Sequence, residues 1–135
     1  MILKGYIFSR PFFEERVPQH VQNIIIQNYC KKNNYTFHLS ATEYRYFEST
    51  FILMELLEDI SKYDGLVFYS LLQLPINEKK RHLLYNKILK KNKSIYFALE
   101  ELKIKNKKDK NELEEVFKLK LAEFDHIKPK KIGRL

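Results

Sequence analysis

The residues able to do chemistry in this 135-residue chain gather beside a few short apolar runs. Ser9 and Ser70 each follow such a run, Ile2 to Phe8 and Leu66 to Tyr69. Glu43 and Glu100 follow two others, and Arg10 and Arg16 lie just past the first. A serine hydroxyl attacks when a base or cations activate it, and a carboxylate can supply the base. A guanidinium beside a helix N-terminus holds anions, because free N–H groups and the helix dipole add to its charge. The candidate catalytic groups are therefore Ser9, Glu43 and Glu100, and the candidate ligand contacts are Arg10, Arg16, Gln19, His20, Gln22, Tyr44, Ser70 and Gln73. A competing reading pairs Arg10 and Arg16 with Glu14, Glu15 or Glu43 and leaves His20 exposed in a first helical turn. His38, His82 and His126 have no metal-ligand spacing, so no metal is expected. With three glycines in the chain there is no glycine-rich phosphate loop, and no cofactor is implied.

These groups form a site only if the elements bring them together. Ile2 to Phe8 reads as a first strand, and Pro18 opens an amphipathic helix to Lys32 with Val21, Ile24, Ile25 and Tyr29 at helical spacing. Tyr35 to Leu39 reads as a second strand, followed by a helix from Thr50 to Lys62. Leu66 to Tyr69 is uniformly apolar, as a strand covered on both faces should be. A hydrophobic loop, Leu71 to Pro75, precedes a helix from Asn77, its expected N-cap, to Lys91. Ser94 to Leu99 reads as the fourth strand, Lys103 to Lys108 as a basic connector, and Lys110 to Phe124 as the last helix. The βαβαβαβα order predicts a three-layer, doubly wound, mainly parallel four-stranded sheet of resolvase-like or flavodoxin-like type, with strand order 2-1-3-4. Ser9, Glu43, Ser70 and Glu100 then fall along one edge, where open α/β sheets place their ligands.

Residues 1–126 are expected to form one domain and 127–135 a basic flexible tail. No apolar run approaches the ~20 residues of a membrane span, and the N-terminal MILKGYIF is too short for a signal peptide. The lone Cys30 requires no oxidising compartment, so the cytoplasm is the expected location. The net charge of +8 makes nucleic acid a possible partner. It is not favoured, because the lysines cluster at expected turns, helix ends and the tail, as on a solvated surface. A non-catalytic dimeric module is the alternative from another class, with Leu71 to Leu74, Leu113 and Phe117 as its interface.

Two resemblances add to this reading. Gly5-Tyr6-Ile7-Phe8-Ser9, Gln19 and Gln22, and Asp64 to Tyr69 resemble segments of the catalytic domain of resolvase/invertase serine recombinases. That resemblance implies a doubly wound fold with Ser9 as nucleophile. The family's arginine two residues before the serine is Ile7 here, and its arginine-bearing loop is Ser70 to Pro75, which contains no arginine. The resemblance thus implies the fold, and at most a degenerate DNA-acting domain. The chain is also similar to the bacterial sporadic carbohydrate cluster proteins. The blocks are Gly5-Tyr6-Ile7, Ser9-Arg10-Pro11-Phe12, Arg16 to Asn23, Tyr29-Cys30, Leu39 to Tyr44, Asp64-Gly65, Tyr69-Ser70-Leu71, Leu74-Pro75 and Ala98-Leu99-Glu100. This similarity implies a setting in lipopolysaccharide or other surface-polysaccharide biosynthesis and no assigned reaction; in that setting Arg10 and Arg16 are expected to hold an anionic sugar or sugar-nucleotide.

Overall fold

The structure is a computed structural model that describes residues 1–13 and 16–127. The expected tail falls almost entirely outside the described residues. The chain order is β1 (Ile2–Phe8), α1 (Gln19–Lys32), β2 (Thr36–Glu43), α2 (Phe51–Glu58), β3 (Gly65–Phe68), α3 (Glu78–Lys90), β4 (Ser94–Phe97), β5 (Leu102–Ile104) and α4 (Lys107–Ile127). Short 3₁₀ turns cover Ile60–Lys62 and Leu71–Gln73.

The sheet has five strands in the order β2-β1-β3-β4-β5, parallel throughout except for the antiparallel β5 edge. The expected order 2-1-3-4 is present, and the expected strand count of four is one too low. Right-handed crossovers put α1 on one face of this sheet and α2 and α3 on the other. The chain reverses winding direction between β1 and β3, which makes that crossing the switch point of the fold.

The core lies on both faces of the central strands. Leu3, Tyr6, Leu66, Val67, Phe68, Ile95, Tyr96 and Phe97 have no exposed surface. Both strand glycines are set by close approach. A Cβ on Gly65 would lie 2.2 Å from the Ser94 backbone oxygen, and one on Gly5 would lie 2.1 Å from Ser40 Oγ. The second crowding coincides with a register shift, Lys4↔His38 to Tyr6↔Ala41, so β2 carries one extra residue opposite Gly5.

The segments expected to form a dimer interface are interior instead. Leu71 and Phe117 are fully buried, and Leu74 and Leu113 nearly so. An apolar loop needs no partner chain when it folds as a 3₁₀ turn into its own core. Buried Arg81 of α3 fastens α4. Its Nε lies 3.0 Å from Glu114 Oε1, its Nη1 donates to the carbonyls of Pro75 and Ile76, and its guanidinium stacks on Phe117. Tyr85 donates to the same carboxylate at 2.8 Å. No helix among the described residues is long and apolar enough to cross a membrane.

Candidate functional site

The C-terminal ends of β1, β2 and β3 meet at the switch point, and most of the expected site residues are there. Their roles divide sharply. Glu43 ends β2 and is buried. One of its oxygens accepts from Tyr6 Oη (2.7 Å) and Leu53 N (3.1 Å), and the other from Tyr44 N, Ser49 Oγ and Ile52 N. These donors include backbone N–H groups in the first turn of α2, so Glu43 caps that helix across sequence. A carboxylate offers about four lone-pair sites, and five donors already share them. Glu43, expected as a base, is thus engaged as a structural acceptor. Burial, followed by the charge and hydrogen bond of Glu43, pushes the Tyr6 hydroxyl far above its ordinary value, so Tyr6 remains the donor.

Glu100 is likewise engaged. It accepts from Ser70 Oγ (2.6 Å) and Leu71 N (3.0 Å) and so holds the 3₁₀ turn after β3. Ser70 and Gln73 close a capping box on that turn. Gln73 Nε2 donates to Gln22 Oε1 at 2.8 Å. Gln22 in turn brackets the end of β1, accepting from Phe8 N (3.1 Å) and donating to Phe8 O and Val17 O. A buried polar chain therefore runs from β1 through α1 to the β3 and β4 loops. Gln22, Ser70 and Gln73, expected as ligand contacts, spend their capacity on this chain, although Gln73 also reaches the cleft wall.

Ser9 donates to the Glu43 carbonyl at 3.0 Å and is not one of the cleft-lining residues. Arg16, Gln19 and His20 are exposed around the start of α1, also outside the cleft lining. Glu14 and Glu15, the competing partners for the arginines, lie outside the described residues. Arg10 does enter the cleft. Its Nη1 donates to Tyr44 O at 3.1 Å, and its guanidinium lies 4.0 Å from the centre of the Phe8 ring. Burial lowers the pKa of Arg10, while Tyr6, Glu43 and Glu48 act in the opposite direction. An arginine so placed keeps its charge at neutral pH.

The cleft measures about 560 Å³, counting the space open at its mouth. Arg10, Phe12 and Phe13 from the β1 loop, Phe47, Glu48 and Thr50 from the β2 loop, and Leu72 to Asn77 from the β3 loop line it, with Lys80 in the first turn of α3. Asn77 caps that turn as expected, accepting from Lys80 N at 3.0 Å. Among the described residues the Lys80 side chain makes no ion pair. Phe13 (φ 51°) and Glu48 (φ 59°), both cleft-lining, are non-glycine residues in the left-handed region. Such strain costs on the order of 1–3 kcal/mol each and gathers at functional sites.

Glu48, Thr50 and Lys80 were not expected as site residues. The sequence signal for Glu48 and Thr50 is the loop Arg45 to Thr50, polar and aromatic where a short connector would do; Lys80 carries none. No group of three or more His, Cys, Asp or Glu side chains among the described residues could hold a metal ion.

No protein-family model matches the chain, and no curated protein sequence does. A solved structure does. The N-terminal catalytic domain of TP901-1 integrase matches over 93% of this chain and 99% of that one, with a TM-score of 0.62 and 15% identity. At that identity the likeness speaks to fold, and the chain has a mixed α/β, resolvase-like fold.

Proposed function

We propose that the protein is a cytoplasmic binding domain of surface-polysaccharide or lipopolysaccharide biosynthesis that holds an anionic sugar or sugar-nucleotide in this cleft. The observation that carries the reading is the pairing of two cations, Arg10 and Lys80, in a largely apolar cleft at the switch point of the sheet. Ligand clefts combine apolar walls with a few polar groups in this way. The glycan setting is what the resemblance of the blocks from Gly5 to Glu100 to the sporadic carbohydrate cluster proteins implies. In this reading Arg10 and Lys80 take the anion, and Thr50 offers a hydrogen bond. Ser9, Glu43, Glu100, Gln22 and Ser70 hold the loops that shape the cleft.

The resolvase-like fold favours a second reading, a degenerate recombinase-like domain acting on DNA, with Ser9 at the end of β1. Phosphoryl transfer requires cations around the transferring group. The β3 loop brings no arginine. Much of the basic character also lies elsewhere: Lys128, Lys130, Lys131 and Arg134 supply four of the eight net positive charges.

Thermal unfolding separates the readings. Ligand at ~100 times its Kd adds about 2.7 kcal/mol, which for a chain of this size raises Tm by several degrees. Glucose 1-phosphate, glucuronic acid or uridine diphosphate-glucose should do so for the wild type and not for Arg10→Ala. A shift with duplex DNA and none with the sugar ligands would favour the second reading.

A further inference from the structure

The β2 loop exposes an unusual amount of aromatic surface beside the cleft. Tyr46 is 75% exposed and Phe47 80%, with Tyr44 and Phe51 about half exposed. Tyr44 and Phe51 stack on one another with ring centres 5.5 Å apart and 19° between planes, and Tyr46 lies 6.2 Å from Tyr44. The shelf is continuous with the cleft. Phe47 forms part of the cleft wall, and Arg10 reaches across to the Tyr44 carbonyl at 3.1 Å. Glu48 and Thr50 line the cleft beside it. Stacked aromatic rings left in water bind flat π systems, and bases stack on such rings whatever their sequence. Cations at the inner end of the same surface complement phosphate.

Resting on the reading of the cleft as an anion site, we infer that its ligand is a nucleoside diphosphate or its sugar ester. The base stacks on Tyr44, Tyr46 and Phe51, and the phosphates reach Arg10 and Lys80. Glu48, which lines the cleft and acts on Arg10 through its charge, is the type of acceptor that ribose hydroxyls use in dinucleotide sites. Charge complementarity selects this occupant over a second protein copy, because Arg10 and Lys80 line the same cleft, from the β1 loop and the first turn of α3.

Isothermal titration of the full chain tests this with inorganic pyrophosphate against the diphosphates of uridine, guanosine, adenosine and cytidine. At least one nucleoside diphosphate should bind ten-fold or more tighter than pyrophosphate. Tyr46→Ala with Phe51→Ala should bring the two within about two-fold of each other, and Tyr46→Phe should keep the gain. Pyrophosphate binding as tightly as every nucleoside diphosphate would overturn the inference and leave the anion site standing. A base-dependent gain that survives the double substitution would also overturn it. Absence of binding by any of the probes would remove both. Affinity for oligo(dT) that exceeds the diphosphates and grows with length would replace it with single-strand binding. A dimer dispersed by Tyr46→Ala, without nucleotide gain, would assign the shelf to a second copy.

Discussion

Glu114→Gln should lower the free energy of unfolding by about 3–5 kcal/mol, read from urea denaturation at pH 7. The substitution keeps the shape of the side chain and an acceptor for Tyr85, but it leaves the buried Arg81 guanidinium without its counter-charge. The Pro75 and Ile76 carbonyls that Arg81 also binds cannot replace an anion. Burial by itself raises the Glu114 pKa. Hydrogen bonds from Arg81 and Tyr85, and the charges of Arg81 and His82, outweigh it and hold the carboxyl below the ordinary value of 4.5. A pKa depressed in the folded state stabilises fully above the unfolded value and loses that contribution as pH falls through the folded one. The difference between wild type and variant should therefore be full at neutral pH and shrink well below pH 4.5. His82 lies 3.6 Å from Glu114 and 3.8 Å from Glu78. Replacing both partners, Arg81→Met with Glu114→Leu, should recover part of the loss, because the burial cost of the pair disappears with it, while the Tyr85 hydroxyl and the Pro75 and Ile76 carbonyls lose their partners.

Gln22→Leu should cost about 3 kcal/mol or more and disturb the cleft from behind. The leucine matches the apolar surroundings but deserts four partners: Phe8 N and O, Val17 O and Gln73 Nε2. Each buried group left unpaired costs on the order of 1–3 kcal/mol, and solvent near Val17 relieves part of the sum. Gln73 then loses its anchor while still tied to Ser70 N. The β3 loop should loosen, with faster hydrogen exchange at Phe8 and Ser70 and weaker anion binding. Unchanged exchange at both amides would show that the polar chain does not hold the loops.

The alternation of apolar runs with amphipathic segments made most of this fold legible, including the order of the first four strands. β5 escaped because Leu102–Ile104 offers two inward residues around Lys103, too few for a period within a lysine-rich stretch. The hydrophobicity of Leu71 to Leu74 was a true signal with the wrong inference attached, since the turn buries those side chains in the chain's own core. Ser9, Arg10, Glu43, Ser70, Gln73 and Glu100 could be placed on one edge from strand ends alone. Their roles could not, because these depend on which donors arrive from afar. Glu43 gains donors from Tyr6, 37 residues earlier, and from the start of α2. Ser70 finds Glu100 30 residues later. Lys80 stands in a Lys-Lys-Arg run that gives no hint that one side chain faces a cleft while the third, Arg81, is buried. Charge pattern also missed the Arg81–Glu114 pair, whose members are 33 residues apart.

The central claim is that the cleft, through Arg10, is the binding site of this resolvase-like domain. Titration of inorganic pyrophosphate into wild type, Arg10→Ala and Ser9→Ala tests it most directly. A charge-assisted hydrogen bond is worth roughly 1.5–3 kcal/mol, so Arg10→Ala should weaken binding at least ten-fold, whereas Ser9→Ala should stay within about two-fold of wild type. Wild-type affinity in Arg10→Ala, or loss of binding in Ser9→Ala alone, would contradict it.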